Sequence, residues 1–358
     1  MKSFNLGDLK IRIPVIQGGM GIGISLSGLA SAVANMGGIG VISSVGIGLA
    51  TDDDSKSYRK NNIEGLRKEI RQARSLTDGV LGVNIMSVLS DFTEMVKTSI
   101  EEKIDIIFSG AGLPLNLPEY LTKDSVTKLV PIVSSGRAAS IISHKWKHKY
   151  DYLPDAFVVE GPLAGGHLGF KGEGLANAAH TLEEILDEVL DVTRGLWEKY
   201  KVKVPVIAAG GIYSGKDILR IMEKGATGVQ LGTRFVATKE CDASDDFKKA
   251  FVEADEESIK IVKSPVGLPG RTIFNNFLKE AYEGKKRPTS CNYRCIKTCN
   301  PKTTLYCIAK ALQSAYKGNM ENGFAFAGSN VGLVDKISTV KKVFEELKQE
   351  YFQAKKNS

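Results

Sequence analysis

Short runs of apolar residues recur along the chain, and segments with helical periodicity separate them. Most of the runs are continuous in Val, Ile and Leu rather than alternating with polar residues, which is typical of strands buried on both faces of a sheet. The pattern predicts eight strands, at Pro14–Gln17, Gly40–Ser44, Leu81–Met86, Ile104–Ser109, Val130–Ser134, Ala156–Glu160, Val204–Ala209 and Gly228–Gly232.

Between these runs, apolar residues return at the spacing of one helix face. Such faces lie within Leu26–Val33, Ile63–Ile70 and Leu182–Leu190, and the last is preceded by Thr181 and Glu184 at the spacing of a capping box. Eight strands alternating with helices over about 240 residues match the size of a (β/α)₈ TIM barrel. An open, doubly wound α/β sheet has the same alternation, but the count of eight favours the closed barrel.

Two stretches look like insertions into this pattern. Ala50–Asn62 is strongly charged and predicts an exposed loop, with a lid as the alternative. Residues 243–330 combine helical pieces with an irregular middle. We expect them to form a smaller, mostly helical lobe on the substrate side of a barrel made by residues 1–242 and 331–358. The last helix is predicted at Val334–Tyr351.

Charge and composition exclude several classes of partner. The chain has 48 Lys and Arg against 41 Asp and Glu, and the net charge of +7 is spread out rather than gathered in a basic stripe. No nucleic-acid partner is therefore expected. No run of eighteen apolar residues predicts a membrane span, and the first residues lack the pattern of an export signal, which favours a cytoplasmic location.

Glycine and polar residues follow the predicted strands. The carboxyl ends of barrel strands share one rim, where the active sites of this fold lie. The rim would collect Gln17–Gly21, Asn84, Ser134, Glu160–His167, Gly210–Gly211 and Gly232–Thr233. This grouping predicts a ligand site at that rim.

The residues after the last two strands predict a phosphate site. Gly210, Gly211, Gly232 and Thr233 would present successive backbone N–H groups, which bind anions well near a helix start. The alternative is that these glycines only form tight turns. After the first strand, Gly18–Gly21 would let the main chain lie flat against a ring system such as a flavin.

His167 is the histidine best placed for catalysis, because it follows Gly165–Gly166 at a strand end and imidazole is a base near neutral pH. A packed structural histidine fits the same position equally well. Four further residues, here named the lobe cysteines, are Cys291, Cys295, Cys299 and Cys307. Their spacing matches neither a zinc ribbon nor a ferredoxin, so unliganded thiols are favoured over a zinc or iron–sulfur site.

Taken together, these motifs resemble those of the nitronate monooxygenase (2-nitropropane dioxygenase) family. Its superfamily also includes flavin-dependent enoyl-acyl-carrier-protein reductases. The resemblance covers nearly the whole chain and lies in Ile13–Gly21, Gly82–Asn84, Glu160–Gly169, Ala209–Ile212, Gly232–Phe235, Ser264–Arg271 and Ala327–Ser329.

The resemblance implies an FMN-binding barrel. Gly18, Gly19 and Met20 would lie along the isoalloxazine, and Asn84 would bond its edge or the ribityl chain. The phosphate would be held by Gly210, Gly211, Gly232 and Thr233. The remaining predicted FMN-binding residues are Ser134, Glu160, Gly165 and Gly166, and no metal ligand is predicted.

His167 matches the catalytic histidine of this family. The resemblance implies oxidation of alkyl nitronates by O₂ through a flavin semiquinone, with His167 acting as base or orienting the substrate. Two features keep an alternative open, NAD(P)H-dependent reduction of an enoyl thioester or a quinone. Leu163 stands where many relatives have Glu, and Gly18–Met20 is shared with the enoyl reductases.

Overall fold

The computed structural model describes residues 1–51, 57–170 and 180–357. The strands are β1 (Phe4–Leu6), β2 (Leu9–Ile11), β3 (Val15–Gln17), β4 (Gly40–Ser43), β5 (Leu81–Met86), β6 (Ile106–Gly110), β7 (Lys128–Val133), β8 (Phe157–Glu160), β9 (Gly166–His167), β10 (Val206–Ala209), β11 (Gly228–Leu231), β12 (Ile259–Lys263), β13 (Pro269–Ile273) and β14 (Ala325–Phe326). The helices are α1 (Ser27–Asn35), α2 (Gly48–Thr51), α3 (Tyr58–Leu76), α4 (Phe92–Glu101), α5 (Gly136–Tyr150), α6 (Leu182–Tyr200), α7 (Gly215–Glu223), α8 (Thr233–Val236), α9 (Asp245–Val252), α10 (Asn276–Tyr282), α11 (Ile308–Tyr316) and α12 (Val340–Lys356).

The eight predicted strands form one parallel sheet that closes on itself. Its order is β3-β11-β10-β8-β7-β6-β5-β4, and the first and last strands meet where Ile16 bridges Ile39. There the Ile39 N–H donates to the Val15 carbonyl and the Gln17 N–H donates to the Ile39 carbonyl, each at 3.0 Å. The (β/α)₈ TIM barrel is therefore confirmed, and the open sheet is excluded.

Two apolar layers hold the barrel together. The interior is filled by side chains that point inward from the strands, among them Ile16, Val41, Phe108 and Ile207. Leu6 and Ile11 of the β1–β2 hairpin belong to the same interior cluster, so this hairpin, which the sequence did not predict, contributes to the barrel core. The opposite faces of the strands pack against the helices, which explains why most positions of the strands are apolar.

The predicted start of α6 is confirmed, whereas the predicted start of α12 is wrong. The predicted capping box of α6 is present, because the Thr181 side chain accepts from the Glu184 N–H while the Glu184 carboxylate accepts from the Thr181 N–H. The last helix begins at Val340 rather than at Val334. Thr339 caps it by accepting from the Lys342 N–H, which sets the start six residues later than the apolar pattern indicated.

Within the predicted 50–62 loop, residues 52–56 lie outside the described ranges, and Ala50 and Thr51 before them belong to α2. From Tyr58 onward the segment is helical, as the start of α3. Asn62 is buried there, accepting from the Gly48 N–H at 2.8 Å and donating to the Asp91 carboxylate at 2.6 Å. The end of the predicted loop is thus a structural helix start.

The chain after β11 forms a lobe that contains α9, α10 and α11 and, in addition, an antiparallel sheet. β12 and β13 form its hairpin, and β14 pairs with β13. The sequence had not predicted this sheet. The other edge of β13 pairs with β9, so that Gly270 lies opposite His167 and Arg271 opposite Gly166. The lobe is therefore joined to the barrel rim by strand pairing at His167.

None of the described helices is long and apolar enough to cross a membrane.

Candidate functional site

A cavity of about 250 Å³ lies at the carboxyl ends of the barrel strands. Every barrel strand contributes a lining residue at its end or shortly after it, and the lobe supplies Phe326–Asn330 and Leu312. Because parallel strands all end at one rim, residues far apart in sequence meet there. The predicted ligand site therefore coincides with a real concave site.

Most of the predicted site residues line this cavity together. They are Gly18, Gly19, Met20, Asn84, Glu160, Gly165, Gly166, His167, Gly210, Gly211, Gly232 and Thr233. Ser134 does not line it. Its hydroxyl lies beside Gly169, where a Cβ on that glycine would stand 2.4 Å from Ser134 Oγ.

The turn between β8 and β9 places His167 in the cavity. Gly165 packs so closely on the lobe that a Cβ there would be 2.5 Å from the Ala327 carbonyl carbon. Arg271 is buried beneath the same turn and donates from Nη1 to the carbonyls of Pro162, at 2.6 Å, and Ala164, at 2.7 Å. Burial lowers the pKa of Arg271 from its ordinary value. The turn is therefore held from the lobe side.

His167 is fixed on two sides by residues of the lobe. Its Nε2 lies 2.7 Å from Ser264 Oγ, and its ring packs on that of Phe326 with centroids 4.8 Å apart. Although one edge of the ring faces the cavity, most of it is enclosed by protein. This burial lowers the pKa of His167 to about 4, so the imidazole is neutral at pH 7.

Three amide or carboxyl side chains line the cavity without a partner among the described residues. The amides of Asn84 and Gln230 and the carboxyl group of Glu160 make no hydrogen bond to any described residue. Burial without a compensating bond raises the pKa of Glu160 to about 8. Since buried polar groups are normally satisfied, these three are suited to bonding a polar ligand.

The turns after β10 and β11 present backbone donors. The N–H groups of Gly211, Gly232 and Thr233 have no acceptor among the described residues. Gly210 has a φ of +94°, a conformation that only glycine adopts readily, and it aims this turn at the cavity. The Thr233 hydroxyl is occupied, accepting from the Gly328 N–H at 2.9 Å. Such a set of free donors suits a phosphate.

Sequence reasoning missed three residues of the site, namely Gln230, Ser264 and Phe326. Gln230 had a readable signal, a polar side chain inside an otherwise apolar buried strand. Ser264 lies in a segment recognised as family-like, but its contact with a histidine 97 residues earlier has no local signature. Phe326 is one aromatic residue among many.

The structure shows no disulfide among the described residues, and the lobe cysteines are free and half-buried. Within the same residues, no group of three or more His, Cys, Asp or Glu side chains is arranged to hold a metal ion. The imidazoles of His144 and His148 stack on each other with centroids 4.1 Å apart. This pair too belongs to no such group.

Fold and cavity together define a (β/α)₈ barrel that offers a neutral histidine, free backbone donors and unpartnered polar side chains at the catalytic rim. A family model described as "Nitronate monooxygenase" matches residues 2–98 and 86–350. The chain therefore belongs to the nitronate monooxygenase family, whose members are flavin-using oxidoreductases.

Individual relatives are similar at moderate identity. A Mycobacterium tuberculosis protein named (3aS,4S,5R,7aS)-5-hydroxy-7a-methyl-1-oxo-octahydro-1H-indene-4-carboxyl-CoA dehydrogenase is 28% identical over 276 residues, covering 77% of this chain and 67% of that protein. A probable nitronate monooxygenase of Staphylococcus aureus is 28% identical over 305 residues, covering 77% and 80%. The solved structure of FabK from Thermotoga maritima superposes with a TM-score of 0.74 at 28% identity, covering 97% and 95%.

Proposed function

We propose that the chain is an FMN-dependent nitronate monooxygenase that oxidises alkyl nitronates with O₂. The observation that carries the proposal is the meeting, in one cavity, of His167 with the free N–H groups that follow β10 and β11. The imidazole of His167 can bind a substrate, and the free N–H groups can bind a phosphate. Membership of the family supports the same assignment.

The residues present fit FMN in three respects. The free N–H groups of Gly211, Gly232 and Thr233 suit its phosphate. The unpartnered side chains of Asn84, Glu160 and Gln230 suit its hydroxyls and ring heteroatoms. Gly18 and Gly19 leave backbone exposed on which a flat ring can lie. Bound there, the flavin supplies the electron-accepting and O₂-reducing chemistry.

The protein's own part in the reaction is to hold and orient the nitronate. A neutral imidazole at His167 offers hydrogen bonding to a nitronate oxygen without fixing a second charge in the site. The Phe326 ring shields one side of the imidazole from water. Arg271 keeps the Pro162–Ala164 turn, and hence His167, in place against the lobe.

Oxygen consumption with propionate 3-nitronate tests the proposal. The purified holoprotein is expected to consume O₂ on addition of the nitronate, and His167→Ala is expected to lose about 10²–10³-fold in turnover, the effect of losing one hydrogen-bond donor to a charged oxygen, while still retaining FMN. His144→Ala serves as the matched control, because His144 is exposed on α5 and does not line the cavity. A colourless protein that does not bind FMN, or an unchanged His167→Ala variant, would contradict the proposal.

A second candidate is reduction of an enoyl thioester or a quinone with NAD(P)H. One specific observation favours it, an apolar Leu163 side chain that is 49% exposed at the cavity wall. This side chain offers an apolar surface to an acyl chain. The curated relative from Mycobacterium tuberculosis is named as acting on a CoA thioester, which points in the same direction.

Steady-state assays separate the two candidates. Nitronate oxidation predicts O₂ uptake that does not require NAD(P)H. Thioester reduction predicts rapid NAD(P)H consumption with a crotonyl-type thioester and no turnover of propionate 3-nitronate. The latter result would replace the first proposal by the second.

A further inference from the structure

Ser264 is a buried lobe residue whose hydroxyl meets the histidine of the site. It follows β12 directly, in the turn that leads into β13, and it is 3% exposed. The turn is fixed by its own backbone, since the Gly267 N–H donates to the Ser264 carbonyl at 3.0 Å. The Thr298 hydroxyl holds it further by donating to the Val266 carbonyl at 2.7 Å. Ser264 is therefore placed rigidly.

Among the described residues, the hydroxyl proton of Ser264 has one acceptor within reach. Oγ accepts from the Val266 N–H at 3.3 Å, and its other partner is His167 Nε2 at 2.7 Å. If Nε2 carried the proton, Oγ would accept twice and the buried hydroxyl hydrogen would have no acceptor among the described residues. That arrangement is unfavourable, because a buried donor that gives up its hydrogen bond to water without gaining a protein acceptor destabilises the folded state. The favourable arrangement has Ser264 donating to Nε2.

We propose that Ser264 is a positioning residue that fixes His167 as the Nδ1–H tautomer, so that His167 meets its substrate as a hydrogen-bond donor and not as a base. Donation from Ser264 requires a lone pair on Nε2, and a neutral imidazole then carries its proton on Nδ1. Nδ1 has no partner among the described residues and is not among the buried unsatisfied atoms. Since the ring lines the cavity, Nδ1–H is the group left to meet a ligand.

The ligand class follows from this tautomer, and this step rests on the proposed function. A neutral Nδ1–H can donate to an oxygen that carries negative charge, such as a nitronate oxygen, or to a thioester carbonyl. It has no lone pair on that nitrogen with which to take a proton from carbon. The Phe326 ring at 4.8 Å holds the imidazole plane, so that Ser264 sets the tautomer while Phe326 restrains the ring.

Nitrogen NMR of the holoprotein tests the tautomer without any turnover. With ¹⁵N in the histidine rings, the four histidines give separate pairs of signals, and His167→Gln identifies the pair from His167. Wild-type protein at neutral pH is expected to show protonated Nδ1 and unprotonated Nε2. A dominant Nε2–H form in the wild type would overturn the proposal, even if every Ser264 variant failed to fold.

Variants of Ser264 then test its role. Ser264→Ala is expected to move a large part of the His167 population to the Nε2–H form and to lower kcat/KM about tenfold, the worth of roughly one hydrogen bond. Ser264→Thr keeps the hydroxyl and is expected to restore the Nδ1–H form. Ser290→Ala, an exposed serine of the same lobe, is the matched control. An unchanged tautomer in Ser264→Ala would overturn the proposal.

The two proposals fail separately. Loss of the nitronate assignment would appear as absent O₂ uptake with an intact Nδ1–H signal. Loss of the Ser264 assignment would appear as a dominant Nε2–H form in wild-type protein, or an unchanged tautomer in Ser264→Ala, while the enzyme still oxidises nitronates.

Discussion

Gly232 offers a sharp test of ligand approach, because the fold itself does not need glycine there. Its φ is −111°, which other residues adopt. A Cβ built on it would have Met20 Sδ, at 3.5 Å, as its one neighbour within 4 Å among the described residues. An alanine would therefore fit the protein but project into the cavity at the turn we assign to the FMN phosphate.

Gly232→Ala is expected to change protein stability and FMN affinity in opposite directions. Alanine at a compatible conformation reduces the entropy of the unfolded chain, so the apoprotein should gain about 0.4–1 kcal/mol. A methyl group forced against a bound ligand costs about 1–3 kcal/mol. Since 1.4 kcal/mol is tenfold in affinity, the Kd for FMN should rise by about 5- to 150-fold.

Urea unfolding of the apoprotein and fluorescence titration with FMN measure the two effects. Gly195→Ala is the matched control. Gly195 lies on the exposed face of α6, where a Cβ would meet nothing within 4 Å. That variant should become more stable by about 0.5–1 kcal/mol without a change in FMN affinity. Unchanged FMN binding by Gly232→Ala would refute the placement of the cofactor beside this turn. A destabilised apoprotein would refute the expectation that alanine fits the backbone conformation of residue 232.

Two further predictions concern buried groups near the same turn. Arg271→Met removes the donor shared by the Pro162 and Ala164 carbonyls. The free energy of unfolding, measured by urea titration, should therefore fall by at least about 1–3 kcal/mol. A variant as stable as the wild type would show that these two hydrogen bonds do not stabilise the turn. Glu160 has a folded-state pKa of about 8 against an ordinary 4.5, so its contribution to apoprotein stability is full below pH 4.5 and is lost as the pH rises toward 8. Glu160→Gln should remove that decline, and an equally steep pH profile in the variant would count against the raised pKa.

The strand pattern was predictable because it is local. A strand covered on both faces is apolar at most positions, and this requirement is visible in a few consecutive residues such as Val206–Ala209. The rim glycines were equally visible, since each directly follows such a run. The location of the cavity then needed only the rule that parallel barrel strands end together.

Two other features of the fold were not predicted, the first for a local reason and the second because of a contact distant in sequence. The predicted start of α12 was wrong, because the apolar pattern already begins at Val334, whereas the capping bond of Thr339 decides where the helix begins. The lobe sheet was not predicted because β13 is stabilised by pairing with β9, about a hundred residues earlier. A short strand of this kind has almost no conformational preference of its own for the extended state.

The sequence by itself determined the eight alternating strands, the rim that carries the site, and His167 with its glycine turns, because burial and turn geometry act on neighbouring residues. Closure of the sheet depended on the tertiary structure, in which Ile16 bridges Ile39. Only the tertiary structure decided what His167 touches. Ser264 reaches its Nε2 from 97 residues away, and Phe326 reaches its ring from farther still. A proton's position on an imidazole depends on the partner of each nitrogen, and folding alone brings those partners together.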